Sequence, residues 1–406
     1  MICTAVTRAC HTDGRVSFLR NRVVNLVNLH YAFTSLAMAG GGVFFGSYLL
    51  RAGVPAPAVL GSLALIVACR FVVRPSVLAL GKRFGLKRLL IAGTVGSALQ
   101  YPLLAEVHGV GRALLALCII AAIGDTFYWT CYHAYFASVG DPEHRGQQIG
   151  AREALASGMA VAGPLVIGGM LVTVGPRAAF GTTAAIQALA ALPLVLTPEV
   201  RILSQAPGSF RASLRGASIF AIDGWNSASY VFVWQIALFL SLGESFSRFG
   251  AAMALAALVG AVGGLLLGRH IDAGNGHHAT WLALGGLTAN IIFRAVSTGA
   301  PALAVLANAA GALEGCLYQT TLMTAVYNQA KASPCALRFH IATEGAWDVG
   351  FGTGCLTAAA LLLLGVPLSA AILLSLVGIP PLFGLMRQHF ADERDPLAFR
   401  VSSEPG

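Results

Sequence analysis

Long apolar runs recur along the chain, each about the length of a membrane-crossing helix and each closed off by a short polar loop. A spanning helix needs roughly 20 mostly apolar residues. Twelve stretches meet that need, near 23–49, 57–80, 88–106, 113–138, 149–174, 178–196, 217–241, 247–268, 279–298, 301–327, 339–364 and 367–386. The pattern therefore predicts an all-α membrane protein with twelve transmembrane helices. The longest polar interruption, PEVRILSQAPGSFRASLR at 198–215, divides them six and six. The expected organisation is an N-terminal six-helix bundle over 1–197, a cytoplasmic linker over 198–215, a C-terminal six-helix bundle over 216–388 and a cytoplasmic tail over 389–406. A shift of about 190 residues lays Tyr128-Trp129-Thr130 on Tyr318-Gln319-Thr320, Gly163 on Gly354 and Pro176 on Pro367. The two bundles read as a pseudo-twofold repeat, the mark of transporters that rock two halves about a central site.

Composition agrees with a lipid environment. Hydrophobic residues make up 56% of the 406 positions and charged residues only 11%, outside the soluble range. The net charge of +9 would suggest nucleic acid, but the placement of the basic residues explains it otherwise. With both termini inside, nineteen arginines and lysines fall in inner segments and four, Arg51, Arg112, Arg177 and Arg248, in outer loops. Basic loops stay in the cytoplasm, so the excess is a topology signal for an inner-membrane protein with both ends cytoplasmic. No cleavable signal peptide is expected, because the stretch up to Arg22 is charged and has no apolar run. The eight cysteines form no C-x-x-C pair, so neither a disulfide framework nor a metal site is expected.

The segment EHRGQQIGAREALASGMAVAGPLVIGGML at 143–171, with Arg145-Gly146, Gly150 and the Gly163-Pro164 to Gly168-Gly169 element, resembles the major facilitator superfamily. The loop LGKRFGLKR keeps Arg83, Gly85 and Lys87 of that family's pattern, with Lys82 where Asp is usual. Its counterpart GRHIDAGNG keeps Gly268 and Asp272. The resemblance implies a gating role for Arg83, Gly85, Arg145 and Asp272, and a central cavity lined by helices one, four, seven and ten; Glu153 and Glu344, which begin the duplicated helices five and eleven, are expected to join that gate.

Those helices carry the polar stripes. In the fourth span, GDTFYWTCYHAY places Asp125, Trp129, Tyr132 and Phe136 within about 60° of one another at 100° per residue, with Tyr128 and His133 beside them. The seventh has Asp223, Ser227, Tyr230 and Trp234, with Asn226 adjacent. The tenth has Glu314, Tyr318 and Thr321, and the first has Asn25, Asn28, His30 and Thr34. Ionisable groups in spans are costly, about 2.5–3.5 kcal/mol at the centre, and so normally face a cavity or a partner. Asp125 and Glu314 occupy the same turn of repeated helices, and a carboxyl in a low-dielectric cavity can exchange a proton near neutral pH. With His133 they are the candidate proton-coupling groups. His30, Trp129, Tyr132, Asp223, Asn226, Tyr230, Trp234, Tyr318 and Arg294 are the candidate substrate contacts. Arg74, near the inner end of its span, is expected to snorkel to the interface, and Glu344 to pair with Arg145, Arg152 or Arg338.

These readings converge on a monomeric secondary transporter of a small organic solute, driven by protons, needing no cofactor, with export slightly favoured over uptake. The competing readings are a membrane-embedded enzyme and a metal-ion transporter. The His340-x-x-x-Glu344 spacing alone is weak support for a metal. No phosphate-cradling loop predicts ATP hydrolysis.

Overall fold

The computed structural model describes residues 21–140, 145–200, 202, 205–271 and 276–394. Among them there is no β-strand; the chain runs from helix to helix through short turns. In chain order the helices are α1 (Arg22–Gly40), α2 (Phe45–Arg51), α3 (Ala56–Val73), α4 (Pro75–Phe84), α5 (Leu86–Ala105), α6 (Arg112–Val139), α7 (Arg145–Thr173), α8 (Pro176–Leu189) and α9 (Ala191–Val195). After the polar interruption come α10 (Ser209–Ser227), a π-helical stretch (Ala228–Val233), α11 (Trp234–Ser241), α12 (Phe246–Ile271), α13 (Gly276–Ser297), α14 (Pro301–Ala332), α15 (Ala336–Leu363), α16 (Leu368–Leu373) and α17 (Ile379–Arg394).

Nine stretches among the described residues are helical, long and apolar enough to cross a membrane. The three expected spans that fall short are understandable from their residues. The α5 stretch opens on Lys87-Arg88, the α10–α11 stretch carries Arg211, Arg215 and Asp223, and α13 carries His277, His278 and Arg294. Polar side chains lower mean hydropathy even where a helix is long enough.

Breaks within the expected spans have local causes. The run at 57–80 divides at Arg74 because Pro75 has no N–H for the carbonyl one turn back, and the helix restarts with Pro75 in its first turn. The chain is otherwise held tightly by glycine. A Cβ on Gly350 of α15 would stand 1.8 Å from the Ala221 carbonyl oxygen of α10, and one on Gly163 of α7 would stand 2.7 Å from the Gly40 nitrogen of α1. Small residues there let the backbones touch. Gly354, which the repeat aligns with Gly163, packs against Trp225 and Ala228 at the end of α10.

Across the polar interruption, α3 packs on α15, α6 on α15, and α7 on α12. A cavity lies between these contacts. The end of the helices beside residues 196–200 is called the linker end; the other carries Arg51 and Glu244 and is called the far end.

Candidate functional site

The central cavity has a volume of about 700 Å³, the size of a site for a drug-sized molecule. On one wall stand Thr34 of α1, Arg70 of α3, Ser97 and Gln100 of α5, and Asp125, Tyr128 and Trp129 of α6. On the opposite wall stand Asp223, Asn226 and Ser227 of α10, Tyr230 of the π turn, Trp234, Arg294 of α13, Tyr318 of α14, and Trp347 and Phe351 of α15. The stripe Asp223, Ser227, Tyr230, Trp234 therefore faces the cavity through a π turn, a feature frequent at functional sites.

Each carboxylate on the cavity has hydrogen-bond donors. Ser97 donates to Asp125 at 3.1 Å. Asp223 accepts from the Tyr318 hydroxyl at 2.6 Å and from the Trp347 indole at 3.1 Å, one bond per oxygen. Glu314 is set back from the cavity, behind Tyr230, whose hydroxyl donates to its Oε2 at 2.6 Å while Oε1 has no hydrogen-bond partner. The Trp234 indole donates to Asn308 at 3.0 Å. The Arg294 guanidinium rests 4.0 Å from the Tyr230 ring centre and 5.2 Å from that of Trp234, and it donates from Nη1 to the Tyr230 carbonyl.

Toward the linker end the cavity is closed by charge. Arg70 meets Asp348 at 3.1 Å and Glu344 at 3.5 Å. Arg74 pairs with Asp348, donates to Thr130 at 2.9 Å, and lies 3.9 Å from Glu344. Arg74 does not snorkel: its side chain is only 3% exposed. Glu344 pairs across the linker with Arg70 of α3 and lies near Arg74; of the arginines expected beside it, the Arg145 side chain is outside the described residues. The available signal was spacing, since Arg70 and Arg74 are four apart on one helix and Glu344 and Asp348 four apart on another, so two matching ladders of opposite charge can face each other. Beneath this layer His133 stacks on Trp129 and on His340, accepts from or donates to the Tyr327 hydroxyl at 3.1 Å, and holds Nε2 4.0 Å from Glu344. Among the described residues no group of three His, Cys, Asp or Glu is arranged to hold a metal.

Toward the far end the closure is aromatic. Phe44 packs edge-on against Phe246 and Phe249, and Phe239 contacts both. Tyr48 adds a stacked contact with Phe246 at 6.4 Å.

Two expected contacts lie away from the cavity. Tyr132 shares the angular face of Asp125 but sits seven residues further, about 10 Å along the axis. It is buried, stacked on Tyr31 of α1. Depth, not angle, separates them. His30 is buried beside Tyr128 and Tyr132, with Nδ1 2.7 Å from the Ala190 carbonyl. A carbonyl only accepts, so Nδ1 carries the proton there.

The gating candidates divide. Gly85 has φ of +89°, a conformation that favours glycine, and a Cβ there would stand 2.3 Å from the Glu199 carboxyl carbon. Glu199 accepts from the Lys87 backbone N–H at 2.7 Å, and the Lys87 ammonium donates to the Thr197 carbonyl at 2.9 Å. The stretch after α9 is thus tied to the start of α5, where a carboxylate also complements the helix dipole. Sequence reasoning missed Glu199, since nothing local points from 199 to 87. Arg83 is exposed, over the Phe84 ring. Arg145 and Glu153 lie in α7, but their side chains are outside the described residues, as is the whole of Asp272.

A family model described as the Major Facilitator Superfamily matches residues 71–337. Among curated proteins none matches at a significant level. Among solved structures the chain is similar to the human organic anion transporter MFSD10 (TETRAN), with 16% identity, a TM-score of 0.62, and coverage of 91% of this chain and 98% of that one. It is also similar to an auto-inhibited POT family peptide transporter, with 13% identity, a TM-score of 0.61, and coverage of 92% and 97%. At such identities the likeness shows the fold.

Proposed function

The chain belongs to the major facilitator superfamily, and from that premise we propose that it moves a small organic solute by alternating access, coupled to protons. The working unit is two six-helix halves, 1–197 and 216–388, twelve spans in all, joined by the 198–215 linker. The bilayer is the inner membrane, both termini are cytoplasmic, and export is the favoured direction. The observation that carries this reading is the cavity of about 700 Å³ held between two unlike closures, one of buried ion pairs and one of aromatic rings, each joining residues before the linker to residues after it. A solute could leave only when one closure parts, which is the requirement for a carrier as opposed to a pore. Solved neighbours named for organic anions and peptides support an organic solute.

Asp125 on the cavity wall and Glu314 behind Tyr230 are the proposed proton acceptors, with His133 at the linker-end closure as the third titratable group. Protonation removes charge from the cavity and changes which conformation each solute stabilises. Trp129, Tyr230, Trp234 and Tyr318 hold the apolar parts of the solute, and Asp223, Asn226 and Arg294 its polar parts. In proteoliposomes carrying an imposed pH gradient, Asp125→Asn and Glu314→Gln should abolish accumulation while exchange at equal concentrations persists, since an amide keeps shape but cannot titrate. Accumulation that follows the proton gradient unchanged in both variants removes these carboxyls from the mechanism.

A further inference from the structure

We infer that the solute is an organic anion, a carboxylate or similar oxyanion on an aromatic or aliphatic body, and that Arg294 is the group that binds its charge. This deepens the transport reading and rests on it.

Among the buried arginines that reach the cavity, two behave differently. Arg70 is neutralised by Asp348 at 3.1 Å and Glu344 at 3.5 Å. Arg294, 6% exposed, lines the cavity and makes no ion pair among the described residues. Among the described residues its Nε is buried with no hydrogen-bond partner, and its guanidinium donates from Nη1 to the Tyr230 carbonyl. Guanidinium has five N–H donors in a planar fork that matches an oxyanion bidentately, and it keeps its charge at any physiological pH. A buried cation left without an anion is costly unless something supplies one.

The surroundings hold the fork in place without satisfying it. Tyr230 and Trp234 carry its faces by cation–π contact. Gly311 leaves the space it fills: a Cβ there would stand 2.0 Å from Arg294 Nη2 and 2.8 Å from Asn290 Oδ1. Glu314 acts on Arg294 electrostatically through space, but it makes no ion pair within 4 Å with it: its Oε2 accepts from the Tyr230 hydroxyl, and the Tyr230 ring lies under Arg294. The other cavity acids are already supplied with donors, Asp223 by Tyr318 and Trp347 and Asp125 by Ser97. The unfilled donors on the cavity wall are those of the Arg294 fork, and they suit an oxyanion. The apolar side chains of Trp129, Trp347 and Phe351 offer surface for its body.

The test uses the full chain in nanodiscs and three probes on one skeleton: 2-naphthoate, 2-naphthamide and 2-naphthylmethylammonium. The naphthoate should bind and raise the melting temperature, and the amide and the amine should bind at least about tenfold more weakly. Arg294→Gln should abolish naphthoate binding while leaving the ligand-free melting temperature unchanged or higher, since it removes a buried charge that makes no close ion pair among the described residues. Gly311→Ala, which displaces the guanidinium without altering charge, should weaken naphthoate binding by a comparable factor. Tighter binding of the amine, no binding of naphthoate to the wild type, or binding indifferent to both variants overturns the assignment. So does a fall in ligand-free melting temperature for Arg294→Gln as large as that for Arg74→Gln, because the arginine would then be a structural ion-pair partner. The transport reading is read separately in the same preparation, from labelling of cysteines introduced at the two closures. It fails only if their accessibility does not alternate.

Discussion

Asp348 accepts from Arg74, forms an ion pair with Arg70 and has no exposed side-chain surface, so its substitution takes an anion away from two buried arginines. Asp348→Asn should destabilise the protein by about 3–5 kcal/mol, the usual cost of removing one partner of a buried pair. Thermal unfolding in detergent checks it. The exposed pair Arg51–Glu244, 3.9 Å apart, predicts the opposite scale: Glu244→Gln should cost less than about 1 kcal/mol. Arg177 of α8 donates from Nε and Nη2 to Glu106, just after α5, at 2.8 and 3.0 Å, and those hydrogen bonds hold the exposed Glu106 carboxyl below its ordinary value. The depressed value belongs to the folded state, so the contribution is present above the unfolded carboxylate value of about 4.3 and is lost as pH falls through the folded one. Glu106→Gln should therefore lower the melting temperature slightly at neutral pH and leave it unchanged in acid. At this scale the sequence carried residue types but not partners. Glu344 was legible as a charged group at the start of a span; its contact with Arg70, 274 positions earlier in chain order, needed the fold.

Among the elements, α10 and α15 are the pair with least room between them, because Gly350 stands against the Ala221 carbonyl and a Cβ on Gly224 would stand 2.4 Å from the Trp347 carbonyl. Neither obstacle is the end of a flexible side chain, so a methyl can be admitted only by moving a helix. Gly350→Ala should cost about 1–3 kcal/mol, and it should also disturb the closure, since Asp348 and Trp347 ride on the same turns of α15. Comparing its melting temperature with that of Gly365→Ala, at a loop glycine with φ of +79° and nothing near its Cβ, separates packing from backbone strain. The helix positions themselves were legible from apolar runs. The break at Arg74 was also available in Pro75, whereas the π turn at Ala228–Val233 left no mark in the polar stripe, which continues through it.

For the whole molecule, the unlike chemistry of the two closures predicts unlike responses. Glu344→Gln weakens only the ionic one and should shift the population toward the state open at the linker end by about 1–3 kcal/mol. Phe246→Ala, which removes a ring shared by Phe44 and Phe239, should shift it toward the far end. Cysteines introduced beside each closure and labelled from either side of the membrane read both shifts. Equal labelling at the two ends in both variants would mean that the closures do not set the conformational balance.

The amino-acid sequence by itself determined that this is a helical membrane protein of the major facilitator superfamily, because twenty-residue apolar runs have few ways of satisfying their backbone in lipid, and the motif at 143–171 is local. It also determined which helices carry polar stripes, since a period of 3.6 is written in residue order. It did not determine depth or partnership. Tyr132 and Trp129 lie on one angular face, yet only Trp129 reaches the cavity. Arg70 and Arg294 are both arginines within apolar runs, yet one faces two carboxylates and the other rests on an aromatic shelf. Those differences arise from which helices pack together across the linker, and a charge in a membrane takes its role from what the packing sets opposite it.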